Sequence, residues 1–389
     1  MANILKNRHK YFVSIEDLNP YRFFIKLDDS FNELMFSKLV SKYPSMKEIS
    51  KQLDVSLSSI YSWKKSRQYP LYIILHILKE TKIEIKKLEH TIISIKSGFK
   101  TKNGGGGVSQ AIFPVFPINF SKELFRIIAH TFGDGCLSIA QNGNITHAYY
   151  NQEKLLRDNI KQDIRVVFGN INLNEGINKT TPFVSIPVPI SLILLSKIKV
   201  FNGTRCIIPD FILNSKDNAF KIEFIKSIFD DEAHVRYDPP HRRVELALSN
   251  ELFLKQIRNI LLEFNIGTTN IYYYLNRDGY HKYYFYIRNF HNIKLFYDKI
   301  GFNHPKKLRD LKMIISNPGR KHYATGETES LIISNLAKKP GLSKDLSRIL
   351  FRNKSTINYW LYKLENKGKV KRNGFRKLKK RSEIIWGLK

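Results

Sequence analysis

Two short acidic turns, 98 residues apart, are the parts of this 389-residue chain best suited to chemistry. The first closes the run Ile127-Ile128-Ala129-His130-Thr131-Phe132-Gly133-Asp134-Gly135; the second closes Ile225-Lys226-Ser227-Ile228-Phe229-Asp230-Asp231-Glu232-Ala233. Each follows apolar residues at helical spacing. Ala129, Gly133 and Ser227 are small enough to let two helices cross closely, and such a crossing would bring Asp134 and Glu232 together at the helix ends. Carboxylates held that close repel each other unless a cation lies between them. Hard oxygen ligands select Mg2+ or a similar divalent ion, which can activate water and stabilise the leaving oxygen of a phosphodiester. Gly-Asp-Gly alone is a common structural turn, so it is the pairing that carries the chemical argument.

The elements that must position these acids alternate between two periods. Leu124–Phe132 and Phe220–Phe229 read as helices, as do Asn250–Phe264 and Asn292–Ile300. His241–Ser249 and His281–Asn289 alternate with period two and read as strands. In the second of these, Lys282, Tyr284, Tyr286 and Arg288 share one face, while Tyr283, Phe285 and Ile287 share the other. Asn276-Arg277-Asp278-Gly279 supplies a hairpin turn ahead of it. The block 118–320 is thus a weak internal repeat, and this predicts pseudo-twofold symmetry inside one chain. Residues 31–88 read as helices, and 98–117, with Gly104 to Gly107 and several prolines, as a linker. From about 321 the chain is helical again and strongly basic.

Lys and Arg number 65 against 34 Asp and Glu, a formal charge of +31. That excess predicts a polyanionic partner, with nucleic acid the commonest. Two cysteines, Cys136 and Cys206, exclude a disulfide scaffold and a Cys-rich zinc site. No uninterrupted apolar run is long enough for a membrane span, and no signal peptide opens the chain, so the expected location is the cytoplasm. The histidines show no metal-ligand spacing. Gly104–Gly107 lacks the Lys-Ser/Thr ending of a phosphate loop, so no nucleotide or other small-molecule substrate is expected.

The two acidic turns resemble the paired signatures of the LAGLIDADG homing endonucleases of the single-chain type. Ile207-Ile208-Pro209-Asp210-Phe211-Ile212-Leu213 resembles the Ile-Pro segment ahead of the second copy, and the stretch ending Lys299-Ile300-Gly301-Phe302-Asn303-His304-Pro305-Lys306-Lys307 resembles the close of the second repeat. The resemblance covers about 200 residues. It implies an α+β fold with an αββαββα core in two repeats, whose antiparallel sheets contact DNA, and metal-dependent cleavage of both strands with Asp134 and Glu232 as ligands. It also implies a basic residue near each acid. Lys306 or Lys307 fits in the second half, whereas the first half offers Cys206 with Arg205 adjacent. Serine at 227 and alanine at 129 and 233 stand where the family uses glycine, so the turn at Ala233 must avoid positive φ.

The sheet residues expected to meet DNA are Arg243, Lys282, Tyr284, Tyr286 and Arg288, since a two-stranded ribbon fits the major groove. Met46–Pro70 resembles a helix-turn-helix, with Ile49, Leu53 and Ile60 inward, Ser56 capping the second helix, and Ser58, Ser59, Tyr61, Ser62 and Lys64 outward. Glu327–Asn373 resembles a winged helix-turn-helix. Lys354 and Asn358 are its groove contacts, and Lys371, Arg372 and Arg376 its phosphate contacts. The expected organisation is 1–97, an N-terminal helical helix-turn-helix domain; 98–117, a Gly/Pro-rich linker; 118–213 and 214–320, the two repeats; and 321–389, the winged domain. The function this predicts is a site-specific, Mg2+-dependent endonuclease acting on duplex DNA as a monomer. The alternative is a sequence-specific transcriptional regulator built on an inactive endonuclease. An intein remnant is disfavoured, because the chain lacks an N-terminal Cys or Ser nucleophile and ends Gly387-Leu388-Lys389.

Overall fold

The computed structural model describes residues 12–100, 106–198, 205–237, 242–275, 279, 281–316, 327–350, 352–378 and 381–389. Its first unit contains strands β1 (Phe12–Val13) and β2 (Phe23–Leu27), helices α1 (Asp29–Lys42), α2 (Met46–Leu53) and α3 (Leu57–Ser66), strand β3 (Gln68–Pro70), helices α4 (Leu71–Thr81) and α5 (Ile85–Glu89), and strands β4 (Ile92–Lys100) and β5 (Gly106–Val108). The local signals between α2 and α3 act as the sequence predicts. Asp54 takes φ +50° to end α2, Ser56 caps α3 by accepting from the Ser59 amide, and Ile49, Leu53 and Ile60 are buried.

This unit is not purely helical, however. Strands in the order β3-β2-β4-β5 form a sheet, because Phe23, Ile25 and Leu27 alternate inward and find partners far along the chain. The stretch expected to be a free linker is also anchored. β5 pairs with β4, Ile112 bridges Ile95, Ile112 and Phe116 are buried, and β6 (Ile118–Asn119) pairs with β1. Its apolar residues were available to a core, and a composition rich in glycine and proline does not register that. One hydrophobic core therefore runs from Val13 to Ile314.

The two repeats follow. The first is α6 (Lys122–Phe132), β7 (Gly135–Ile139), β8 (Ile145–Tyr150), α7 (Lys154–Phe168), β9 (Glu175–Asn178), β10 (Thr181–Ser185) and α8 (Val188–Lys197). After the short α9 (Asp210–Leu213) comes the second: α10 (Asn218–Glu232), β11 (Ala233–Arg236), β12 (Arg243–Leu248), α11 (Glu251–Glu263), β13 (Tyr272–Leu275), β14 (His281–Ile287) and α12 (Phe290–Lys299), extended by α13 (Pro305–Ser316). Both read αββαββα. Their antiparallel sheets have equivalent orders, β7-β8-β10-β9 and β11-β12-β14-β13. β13 and β14 pair as expected for a hairpin, although Asn276, Arg277 and Asp278 of its turn lie outside the described residues.

The C-terminal unit has a separate core built from α14 (Glu327–Lys338), β15 (Gly341–Leu342), α15 (Ser343–Ile349), α16 (Lys354–Asn366), β16 (Val370–Leu378) and β17 (Arg381–Leu388). Ile357, Leu361, Leu364 and Trp386 are its buried centre, and Trp360 lies half-buried at the edge rather than inside.

Candidate active site

Helices α6 and α10 pack against each other at the centre of the two repeats. Ser121 and Asp217 cap their N-termini through side-chain oxygens. Ala129 and Ser227 are fully buried. Arg126 of α6 fixes the pairing of the helices, reaching Asp163 of α7 at 2.6 Å and Glu223 of α10 at 3.1 Å. At the C-terminal ends the fit is asymmetric. A Cβ on Gly133 would lie 2.8 Å from the Cβ of Asp231 and closer still to its carboxylate, so the glycine is the hollow into which Asp231 inserts. Gly135 is needed for a different reason: a Cβ there would lie 2.7 Å from the His130 carbonyl oxygen. Ala233 leaves α10 at φ −81°, ψ 154°, an extended conformation open to any residue.

Four acids gather at this end. Asp231 has no solvent-exposed side chain. It accepts hydrogen bonds from the Tyr149 hydroxyl at 2.7 Å and, more weakly, from the Asp134 amide at 3.4 Å, and pairs with His130 Nδ1 at 2.9 Å. Asn151 links this network to Asp134: its Nδ2 donates to Asp134 Oδ2 at 2.8 Å and to the Tyr149 hydroxyl at 3.1 Å. Asp230 is fully buried and accepts the amides of Asn303 and His304, which ties the end of α10 to the turn before α13. No hydrogen bond reaches the Glu232 carboxylate among the described residues.

Crowding shows in the proton equilibria. Burial first, then the charges of Asp231 and Glu232, push Asp134 up to about 8. Burial and Asp231 raise Glu232, while Lys282 and Lys307 oppose the shift. Burial also pushes Asp230 up to about 6. Burial disfavours a charged His130, but the carboxylate of Asp231 outweighs it and the net shift is upward.

The basic residues expected at the acids divide. Lys307 is there, half-buried, but its ammonium donates to the carbonyls of Phe229 (3.2 Å), Asp230 (2.5 Å) and Asp231 (3.0 Å). It therefore caps the C-terminus of α10 and spends its three protons on the backbone. Its field still reaches the acids. Lys306, its neighbour, is exposed and does not figure among the charges acting on Asp134 or Glu232. Arg205 is likewise exposed and absent from those charges, because the chain there turns Cys206 inward. Cys206 is held by Asn250, which donates to its carbonyl at 2.6 Å. Lys282, read from the sequence only as a DNA contact, is the cation besides Lys307 that acts on Glu232. Asp231, Tyr149 and Asn151 were not anticipated at all. The one available signal was the substitution of aspartate for a small residue immediately before Glu232.

The second sheet carries the predicted DNA-facing residues on one side. Val244, Leu246, Phe285 and Ile287 are buried under the helices, and Arg243, Lys282, Tyr284 and Tyr286 lie on the opposite face. Arg288, just past β14, is exposed. The Arg243 guanidinium sits 3.8 Å over the Tyr286 ring and pairs with Glu245 at 3.1 Å.

In the first unit Ser58, Tyr61, Ser62 and Lys64 are exposed on α3, and Ser59 is half-buried with its hydroxyl 2.8 Å from that of Ser56. In the last unit Lys371 and Arg376 are exposed and Asn358 is half-buried. Lys354 pairs with Glu383 at 3.2 Å and Arg372 with Glu365 at 2.9 Å. Such surface pairs are weak, being screened by solvent, and leave their cations open to a phosphate.

Residues 219–301 match the family model of the LAGLIDADG-like domain, a span running from the start of α10 to Gly301. The second repeat thus matches a LAGLIDADG-like domain, and the first repeat shares its αββαββα order and strand arrangement. Solved structures similar to the chain include I-DmoI in complex with DNA and Ca, at 11% identity over 49% of this chain and 97% of that one, with a TM-score of 0.34. I-WcaI bound to its DNA recognition sequence is similar at 17% identity over 49% and 86%, with a TM-score of 0.35. Full-length DUF199/WhiA from Thermatoga maritima is similar at 14% identity over 63% and 91%, with a TM-score of 0.34. A search of curated proteins gave no match. Among the described residues, no helix is long and apolar enough to cross a membrane.

Proposed function

We propose that the chain is a divalent-cation-dependent endonuclease that hydrolyses both strands of a long duplex DNA site, with Asp134 and Glu232 as the acids that hold the ion. The observation that carries this reading is that the ends of α6 and α10 bring their carboxylates together, the Asp134 amide donating to Asp231 at 3.4 Å while Tyr149 and Asn151 bridge Asp231 to Asp134 Oδ2; burial, then the charges of Asp231 and Glu232, accordingly raise Asp134. Negative charge concentrated so closely is costly without a cation.

The donor set fits a hard ion. Asn151 binds one oxygen of Asp134, and Glu232 makes no protein hydrogen bond among the described residues, so oxygens remain for ligation. Among those residues no group of three or more His, Cys, Asp or Glu is arranged around a metal. Mg2+ takes one or two carboxylates and completes its shell with water and substrate phosphate, and Asp134 and Glu232 supply that number of carboxylates. When bound, such an ion supplies Lewis-acid stabilisation of the phosphate and activates water. The protein's own part is positional. His130 and Tyr149 hold Asp231 between the helices, Asn151 orients Asp134, and Lys307 offsets part of the acidic charge. Lys282 stands where it can meet a phosphate beside Glu232. In this reading α3 and α16 with its hairpin extend the contact, and their tethering raises avidity. The internal duplication makes the monomer the functional unit.

A second reading, binding without cutting as a regulator, is favoured by one feature: among the described residues the first half brings His130 but no lysine or arginine to the acids, since Arg205 faces solvent. Incubating the full chain with a duplex library, with and without Mg2+, separates the two. Cleavage lost in Asp134→Asn and in Glu232→Gln supports the nuclease. Specific binding with no metal-dependent cutting supports the regulator.

A further inference from the structure

The two sheets offer a duplex opposite kinds of surface. In the first, His147, Tyr149 and Val184 are buried on the helix side, and strand register places Cys136, Ser138, Thr146, Tyr150 and Phe183 on the other side, where Ala148 is buried. Ser185, Gly176, Thr181 and Asn178 complete that outer face through their pairing. None of these is ionisable to a cation or a carboxylate. Glu175, the one acid on these strands, pairs with the buried Val184 and so lies on the helix side, where it is bonded to Lys161 of α7.

The outer face of the second sheet is charged and aromatic. Arg236, Arg243 and Lys282 stand against the single acid Glu245, with His234 beside them. Tyr272, Tyr274, Tyr284 and Tyr286 form a continuous ladder, with neighbouring ring centroids 5.2 to 6.4 Å apart. The first sheet's counterpart is one pair, Tyr150 and Phe183, at 5.3 Å.

We propose that the two halves of the DNA site are recognised by different chemistry: the half under the second repeat is anchored through phosphates and guanines by cations and tyrosines, whereas the half under the first is read by uncharged contacts and selects thymine. This rests on the DNA-binding reading above and specifies the substrate within it. Arginine and lysine pair with the O6 and N7 of guanine, whereas the threonine methyl and aromatic rings, here Thr146, Thr181, Tyr150 and Phe183, pack on the methyl group of thymine. A face without cations neutralises no phosphate and so adds nothing to the salt dependence of binding. The second half should therefore capture the duplex, and the first should sort sequences.

The test uses the full chain in EDTA, so that binding is measured without cutting. Bound duplexes are selected from a randomised library. A photo-crosslinker attached to Cys136, the exposed cysteine on the first sheet's outer face (Cys206 is buried), marks the half lying there. The expected crosslinks fall in a half rich in A·T pairs, with guanine preference confined to the other half. Lys282→Ala and Arg236→Ala should each reduce the slope of log affinity against log salt by about 0.9, and Ser138→Lys should steepen it by a similar amount. Crosslinks in the guanine-selecting half, or unchanged slopes in both alanine variants, overturn the proposal while leaving DNA binding intact. Failure to select any duplex overturns both.

Discussion

Replacing Asp134 with asparagine should stabilise the cation-free protein, increasingly so as the pH rises towards 8. In the folded chain burial, Asp231 and Glu232 push this carboxyl up to about 8, against an ordinary value of 3.8. Between those two pH values the folded state holds a proton that the unfolded chain has released. Stability therefore falls as pH rises across that window and levels off above it. Each unit corresponds to about 1.4 kcal/mol, so the shift sets a ceiling of roughly 5–6 kcal/mol. The side chain is partly solvent-accessible and its neighbours adjust, which brings the expected gain nearer to about 2–3 kcal/mol. A gain of that size raises the melting temperature by about 2–4 °C in a protein this large. The assay is a thermal melt of wild type and variant in EDTA from pH 4 to pH 9, repeated with Mg2+ at about a hundred times its dissociation constant. Wild type should then recover about 2.7 kcal/mol from the ion at pH 8, and the variant far less. Curves that stay parallel across the whole pH range, or a variant that melts lower at pH 8, would refute the claim that these carboxylates are crowded in the folded state.

Gly133→Ala should cost about 1–3 kcal/mol in chemical denaturation, because the new methyl lands on Asp231; Gly133→Ala combined with Asp231→Ala should cost less than the sum of the single changes. Lys307→Met leaves carbonyls at the end of α10 without their donor and should lower stability by about 1–3 kcal/mol for each buried oxygen left unpaired, read from the urea midpoint. Nitrogen-15 NMR of the histidines should find His130 titrating above 6.5; the stabilisation from its pairing with Asp231 is present below pH 6.5 and is lost as pH rises through the folded value. His147, buried between Ser191 and Thr131, should stay neutral down to about pH 3, so its burial weakens the fold as pH falls below 6.5.

Much of the architecture was legible in the chain because periodicity and capping are local. The alternation in His281–Asn289 announced which side chains of β14 go under the helices, and Ser56 announced the start of α3. The first unit's sheet was not legible: Phe23–Leu27 gains its partners from Gln68–Pro70 and Ile92–Lys100, and strand pairing at that separation leaves no trace in a window of neighbouring residues. Ile112 and Phe116 were overlooked for a related reason, since glycine and proline mark where regular elements stop but do not say whether the apolar residues between them are buried.

At the acids the division is the same. From the sequence alone came the duplicated helices, the small residues that let them cross, and the two carboxylates at their ends. Tertiary structure alone decided that Asp231 fills the hollow at Gly133, that Lys307 caps a helix while Lys306 faces solvent, and that Lys282 is the strand residue whose charge reaches Glu232. The physical reason is that a side chain's type sets what it can bond, whereas its partner is set by the closing distance between elements tens of residues apart.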